Sequence, residues 1–172
     1  MSTLKVNSII PVAGVPTGGG GGIVQIVQAT SDSQTSTTST SFVDTPLSIA
    51  ITPTSTSSKI LIRYNMNVAV NADTHIAFFK IVRGSTDIGN GNQGSNRVKC
   101  HTALRGQHSD NNPHGVTTGE FLDSPSTTSA TTYKIQFKVD GATCFINRSN
   151  SGDDTSPHPS PLSVLTLMEV SA

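Results

Sequence analysis

Tryptophan is absent from this chain, and aromatic residues of all kinds make up only 5% of it. A carbohydrate-binding module built on indole platforms would therefore lack its commonest stacking residue. Cys100 and Cys144 stand too far apart for a CxxC metal or redox motif, and they read as buried, reduced thiols rather than as a disulfide framework. Glu120 and Glu169 are the only glutamates, which leaves little from which to build the paired carboxylates of a glycoside hydrolase. Lys plus Arg equals Asp plus Glu at 11 each, with the basic residues dispersed. No electrostatic stripe follows a phosphate backbone or an anionic membrane, so no nucleic-acid partner is expected. No run approaches the roughly 18 apolar residues of a membrane span. The start Met1-Ser2-Thr3-Leu4-Lys5 lacks the charged and apolar regions of a signal peptide. Synthesis in a cytoplasm without membrane insertion is the expectation.

What the chain has in abundance is hydroxyl. Serine and threonine supply 46 of 172 residues, against 34% apolar and 13% charged. The polar surface is thus made of hydroxyls rather than ions, a balance that argues against a soluble metabolic enzyme. Disordered chains pair low hydrophobicity with high net charge; here the net charge is zero and clean apolar patterns survive, so a folded core is expected. The length fits one domain with a short appendage.

Alternation of side chains to opposite faces is the main signal. From Lys59, residues Ile60, Ile62, Tyr64, Met66, Val68 and Val70 take every second position, with Arg63, Asn65 and Asn67 between them. This predicts a long strand with one buried face and one wet or inter-subunit face. Tyr133, Ile135, Phe137 and Val139 repeat the pattern, alternating with Lys134, Gln136, Lys138 and Asp140. Residues 75–83 and 162–170 are apolar on both faces and read as central strands. Further candidates are 23–28, 47–51, 98–104, 116–122 and 143–147, separated by turn clusters such as Asn90-Gly91-Asn92 and Ser151-Gly152-Asp153. Ten of the twelve residues 30–41 are Ser or Thr, suited to a solvated loop or an edge strand. No segment shows helical spacing. The fold class expected is all-β: an antiparallel β-sandwich, jelly-roll-like, of eight or nine strands.

An N-terminal arm precedes this body. Residues 4–10 form a short strand-like run ending at Pro11, and Gly18 to Gly22 follow. Five glycines hold neither a helix nor a packed strand and span about 12 Å as a coil. They read as a joint between arm and body, or as a wide internal loop. The division taken is 1–22 for arm and joint and 23–172 for a β head.

Three stretches carry a family resemblance: Ser2-Thr3-Leu4-Lys5-Val6-Asn7, the joint Gly14-Val15-Pro16-Thr17 with its glycines and Ile23-Val24-Gln25, and the run from Ile51-Thr52-Pro53 to Lys59-Ile60-Leu61. In this order, with Phe121-Leu122-Asp123-Ser124-Pro125, Thr131-Thr132-Tyr133-Lys134 and the closing Leu167-Met168-Glu169-Val170, the chain resembles tail-fibre-like and other virion structural proteins of marine bacteriophages, including those of cyanobacteria. The resemblance implies a virion location, other virion proteins of tail or capsid as partners, and a homotrimer. The arm then docks, with Leu4, Val6, Ile9 and Ile10 filling pockets on a neighbour while backbone pairing adds a strand to its sheet. In that family the arm precedes longer fibres; the shorter body here suggests a short appendage on tail, vertex or capsid.

Candidate chemistry is sparse. His101, His108, Asp110 and His114 include normal metal ligands, but their spacing matches no common site. As an exposed loop, Arg105, Gln107, His108, Asn111, Asn112 and His114 offer donors and acceptors to the hydroxyls of a host surface glycan. No Gly-x-Ser-x-Gly elbow is present and the glycine run lacks the Lys-Ser or Lys-Thr of a phosphate loop, so no enzyme activity, metal or cofactor is expected. Asn147-Arg148-Ser149 matches a glycosylation sequon, read as chance, and the aromatic residues read as core. Three functions stand: a phage appendage subunit with a trimeric head for host attachment, a capsid decoration protein, and a carbohydrate-binding module using the 105–114 loop or the outer face of Arg63, Asn65 and Asn67.

Overall fold

A computed structural model describes residues 22–92, 94–106, 114–156 and 158–171. The docking-arm residues Leu4, Val6, Ile9 and Ile10 lie outside the described residues. So do Gln107, His108, Asp110, Asn111 and Asn112.

The described residues hold eleven strands and no helix: β1 (Ile23–Ser31), β2 (Thr35–Thr37), β3 (Val43–Ile51), β4 (Lys59–Val70), β5 (Ile76–Arg83), β6 (Thr86–Ile88), β7 (Thr102–Arg105), β8 (Gly115–Asp123), β9 (Thr131–Val139), β10 (Cys144–Ile146) and β11 (Ser163–Val170). They form two antiparallel sheets packed into a β-sandwich. In the first sheet β4 is the hub. One edge of it pairs with β8, and the other pairs first with β11 and then with β10. Outside those two lie β1 on β11 and β2 on β10. The second sheet runs β3, β9, β5, with β6 and β7 sharing the far edge of β5.

The alternation in β4 and β9 does what the pattern demands. Ile60, Ile62, Met66 and Val68 from the first sheet meet Phe79, Ile81, Tyr133, Ile135 and Val139 from the second, all fully buried. Burying side chains of this size contributes roughly 1.5–3 kcal/mol each. The rings of Phe79 and Phe137 stack at 6.4 Å. Both segments read as central strands are central: β5 lies between β9 and the β6/β7 edge, and β11 lies between β1 and β4. In β3, Pro46 has no N–H to give the ladder, and the pairing with β9 shifts register between Asp44 and Ser48. Thr45 bridges the gap, its hydroxyl donating to the Ile135 carbonyl at 2.9 Å and accepting from Leu47 N–H at 3.2 Å.

Three expectations are revised. The Ser/Thr-rich segment is neither one loop nor one strand: its start completes β1, and Thr35–Thr37 forms a short edge strand. Residues 98–101 are not strand, and β7 starts at Thr102. Only half of the eight aromatic residues are buried. Phe42 and Phe78 lie under Lys80 and Lys138, and Phe145 under Arg148, while Phe121 packs half-buried at the core margin.

Candidate functional site

Strand register assembles the outer face of the first sheet row by row. At the end where β1 begins, Ile26, Met168, Leu61 and Leu122 line up across all four strands. Ile26 is 56% and Leu122 46% exposed, and Ile23 and Val24 beside them are exposed as well. The next row is Gln28, Thr166, Arg63 and Glu120. The Gln28 amide donates to Thr166 Oγ1 at 3.0 Å, and Arg63 Nε meets Glu120 Oε2 at 2.9 Å with both side chains about 60% exposed (60% and 58%). Then come Thr30, Val164, Asn65 and Thr118. A shallow concavity of about 440 Å³ opens over these rows, lined by Arg63, Asn65, Thr118, Glu120, Thr166 and Met168 among others. Hydroxyl, amide and one ion pair over an aliphatic floor suit a neutral, hydrogen-bonding occupant.

Beneath this face an inward glycine makes room for two rings. Gly119 pairs with Tyr64, and any Cβ there would collide with the rings of Tyr64 and His101. Lacking one, Gly119 lets the Tyr64 ring lie flat under the sheet. The Tyr64 hydroxyl is hydrogen-bonded to Thr102 Oγ1, which bonds in turn to Thr117 Oγ1 at 2.9 Å. Burial pushes the Tyr64 phenol up to about 12, against the opposing bonds to Thr102 and Thr117. His101 Nδ1 bonds the Gly89 carbonyl at 2.6 Å and its ring meets Phe121 edge-on at 6.5 Å. His101 is thus a packing residue between β7 and β8.

No protein-family model matches this chain, and no curated protein matches it in sequence.

The outer face of the second sheet differs in kind. Lys134 and Gln136 both bond Asp44, at 2.9 and 2.6 Å, and Lys80 bonds Asp87 at 2.9 Å. Lys80 and Lys138 sit over Phe42 at 4.6 and 5.4 Å. Its aromatic surface is thus covered by the chain's own cations, each contact contributing on the order of 0.5–1 kcal/mol.

The two ends of the sandwich also differ. β1 enters beside Val170 and Lys59, so the joint arrives at the base, where β4 starts. The candidate receptor loop joins β7, whose Arg105 pairs with Ile76, to β8, whose Gly115 pairs with Val68 near the other end of β4. Its root is fixed: Arg105 Nε donates to the Asp73 carbonyl at 2.8 Å, and Gly106 N–H to the His75 carbonyl at 2.9 Å. Arg105 and His114 are therefore placed at the tip. Of the outer-face candidates, Arg63 and Asn65 line the concavity, whereas the Asn67 amide is spent on the Leu162 carbonyl at 2.9 Å.

Residues that composition did not flag hold the base together. Glu169 is fully buried. Burial alone would raise its carboxyl, but bonds from Gln25, Thr54 and Ser58 outweigh that and bring it down to about 2. Asp123, also buried, accepts from Arg83 at 2.8 and 2.9 Å and from the Tyr133 hydroxyl at 2.7 Å, joining the two sheets. Near the tip, Asn147 of the sequon is fully buried and donates to the Ser31 and Ser33 carbonyls. A buried amide in that role is no glycan acceptor. Cys144 is buried, its thiol pushed up to about 12 by burial, whereas Cys100 is only half-buried; both are free.

Proposed function

We propose that this protein is a bacteriophage virion structural subunit, a tail-fibre-like appendage. In this reading its N-terminal arm docks on another virion protein and its β head presents a loop to the host surface. The observation that carries the reading is polarity. The joint enters at one end of β4 and the 105–114 loop leaves at the other. The 12 residues of β4 extend about 36 Å at roughly 3.3 Å per residue. Attachment and presentation need that separation, because a receptor loop beside its own anchor would be shielded by the particle. A homotrimer with closed cyclic symmetry keeps every copy pointing the same way, so three arms would leave one end and three loops crown the other. Six of the ten connections between successive described strands cross from one sheet to the other, which supports a jelly-roll wrap for the head. No catalytic role is proposed.

The resemblance of the arm and joint to virion proteins supports the location. Purified particles imaged by cryo-electron microscopy test it: a few trimers on the tail support the appendage, copies repeated over the capsid lattice make it a decoration protein, and absence from the particle overturns both. A chain lacking residues 1–22 should stay folded and fail to join virions.

A second reading, a glycan-binding module, is favoured by the concavity over Arg63, Asn65, Thr118, Glu120 and Thr166. Glycan-array binding lost in Asn65→Ala with Thr118→Ala would support it.

A further inference from the structure

We propose that the outer face of the first sheet is the surface on which copies of this chain meet. The occupant of each face is a second copy. The inference rests on reading the protein as a homotrimer and deepens it by naming the interface.

The apolar row Ile26, Met168, Leu61 and Leu122 crosses four of the sheet's six strands, with Ile23 and Val24 extending it at the base. Singly exposed aliphatic residues need no explanation, but a continuous row with half-exposed members marks an interaction surface. Four strands at about 4.8 Å and nine residues at about 3.3 Å give a face on the order of 600 Å², near the roughly 800 Å² that each partner supplies to a standard interface.

Charge selects the occupant. Apart from Lys59 at the base margin and Arg148 over Phe145 toward the tip, the described charges on the outer face of β1, β11, β4 and β8 are Arg63 and Glu120, already paired at 2.9 Å. A strongly basic or acidic partner finds no complement there. Around a threefold axis, copies of this face bring their apolar rows together and set Arg63 of one copy beside Glu120 of the next, so acid and base pair around the ring. The opposite outer face, where lysines pair with Asp44 and Asp87 over Phe42 and Phe78, has its aromatic surface covered already.

Sedimentation equilibrium of the full chain tests the assignment. The wild type should sediment as a trimer. Leu61→Asp and Leu122→Asp should weaken association by about 100-fold or more, the scale set by an unpaired charge in a closed interface. Their circular dichroism should stay native, because both side chains point away from the core. Lys138→Asp, on the other sheet, should leave the mass unchanged. Should Leu61→Asp unfold, Arg63→Glu and Glu120→Arg serve instead: each alone should fall apart, and the chain carrying both, with the pair reversed, should regain the trimer. A trimer indifferent to Leu61→Asp and to both charge reversals overturns the interface but keeps the trimer. A wild type that sediments as a monomer overturns both.

Discussion

The base and the tip of this sandwich are closed by different chemistry. At the base two buried carboxylates each gather several donors: Glu169 ties β1 and the Thr52–Ser58 turn to β11, and Asp123 ties β8 to β5 and β9. At the tip the corresponding buried group is the neutral amide of Asn147, and the ion pair His75–Asp140 is partly exposed. Ionised closure is strong while every donor is in place and fails when a proton arrives; amide closure ignores pH. In the appendage reading proposed above, this puts the costlier fastening at the end the arm joins.

Removing Asp123 should break the comparison hardest. Asp123→Ala leaves the buried Tyr133 hydroxyl without its acceptor and the Arg83 guanidinium with only the Ser124 carbonyl at 3.3 Å, and losing one partner of a buried pair costs about 3 kcal/mol or more. Urea denaturation should show that loss, with Tyr133→Phe costing about 1 kcal/mol because only one bond goes. If Asp123→Ala and Asn147→Ala cost the same, the ends are not fastened unequally.

Asn147 comes next. Its backbone sits at φ 60, a left-handed conformation that asparagine tolerates and alanine resists. Its side chain holds the point where the chain passes from β1 to β2. Asn147→Ala should cost about 2 kcal/mol or more, combining strain with three lost side-chain bonds, the third accepted from Ser163 Oγ, while Asn147→Gly, free of the strain, should cost about 1 kcal/mol less. Equal losses would mean the backbone conformation is not strained for alanine.

These fastenings show where the sequence is silent. The period-two runs of β4 and β9 locate the core because apolar residues fall on one face without interruption. β6, Thr86–Ile88, has no such run and exists only because the Gly84 turn folds it back on β5. Glu169 was within reach: it follows Leu165 and Leu167 at steps of two, which puts it on the buried face. Its polarity disguised it, since a lone acid at a strand end reads as solvent-facing. The apolar row on the outer face was hidden differently. Ile26, Leu61, Leu122 and Met168 belong to four strands, and only register brings them together. The outer-face residues Arg63 and Asn65 were legible from alternation, whereas Thr118, Glu120 and Thr166 join them in the concavity only through strand register.

The acid response of Glu169 sharpens the contrast. Its carboxyl sits at about 2 in the folded chain, below the roughly 4.3 of an unfolded glutamate. A depressed value contributes stability that is full above the unfolded value and is lost as pH falls toward 2. Asp44 and Asp140 are also lowered, so the wild type should lose stability on acidification by several routes. Glu169→Gln should cost about 1 kcal/mol at pH 7 and then lose less between pH 4.5 and pH 2 than the wild type. Parallel urea midpoints across that window would remove Glu169 from the acid response.

The smallest effect belongs to the tip ion pair. His75 Nδ1 lies 3.0 Å from Asp140 Oδ1, and both side chains are more than a third exposed (35% and 40%). Water screens such a pair. Asp140 also keeps the Ile76 N–H, which donates to the same oxygen at 2.9 Å, so the carboxylate retains its backbone partner when the imidazole goes. His75→Ala should therefore cost under about 0.5 kcal/mol, whereas Asp140→Ala, which also strips Ile76 N–H of its acceptor, should cost about 1 kcal/mol. The ordering follows from exposure: an orphaned N–H at this rim can turn to water, while the orphaned Tyr133 hydroxyl at the base cannot. If His75→Ala destabilised the chain as much as Asp123→Ala, exposure would not be what separates the two ends.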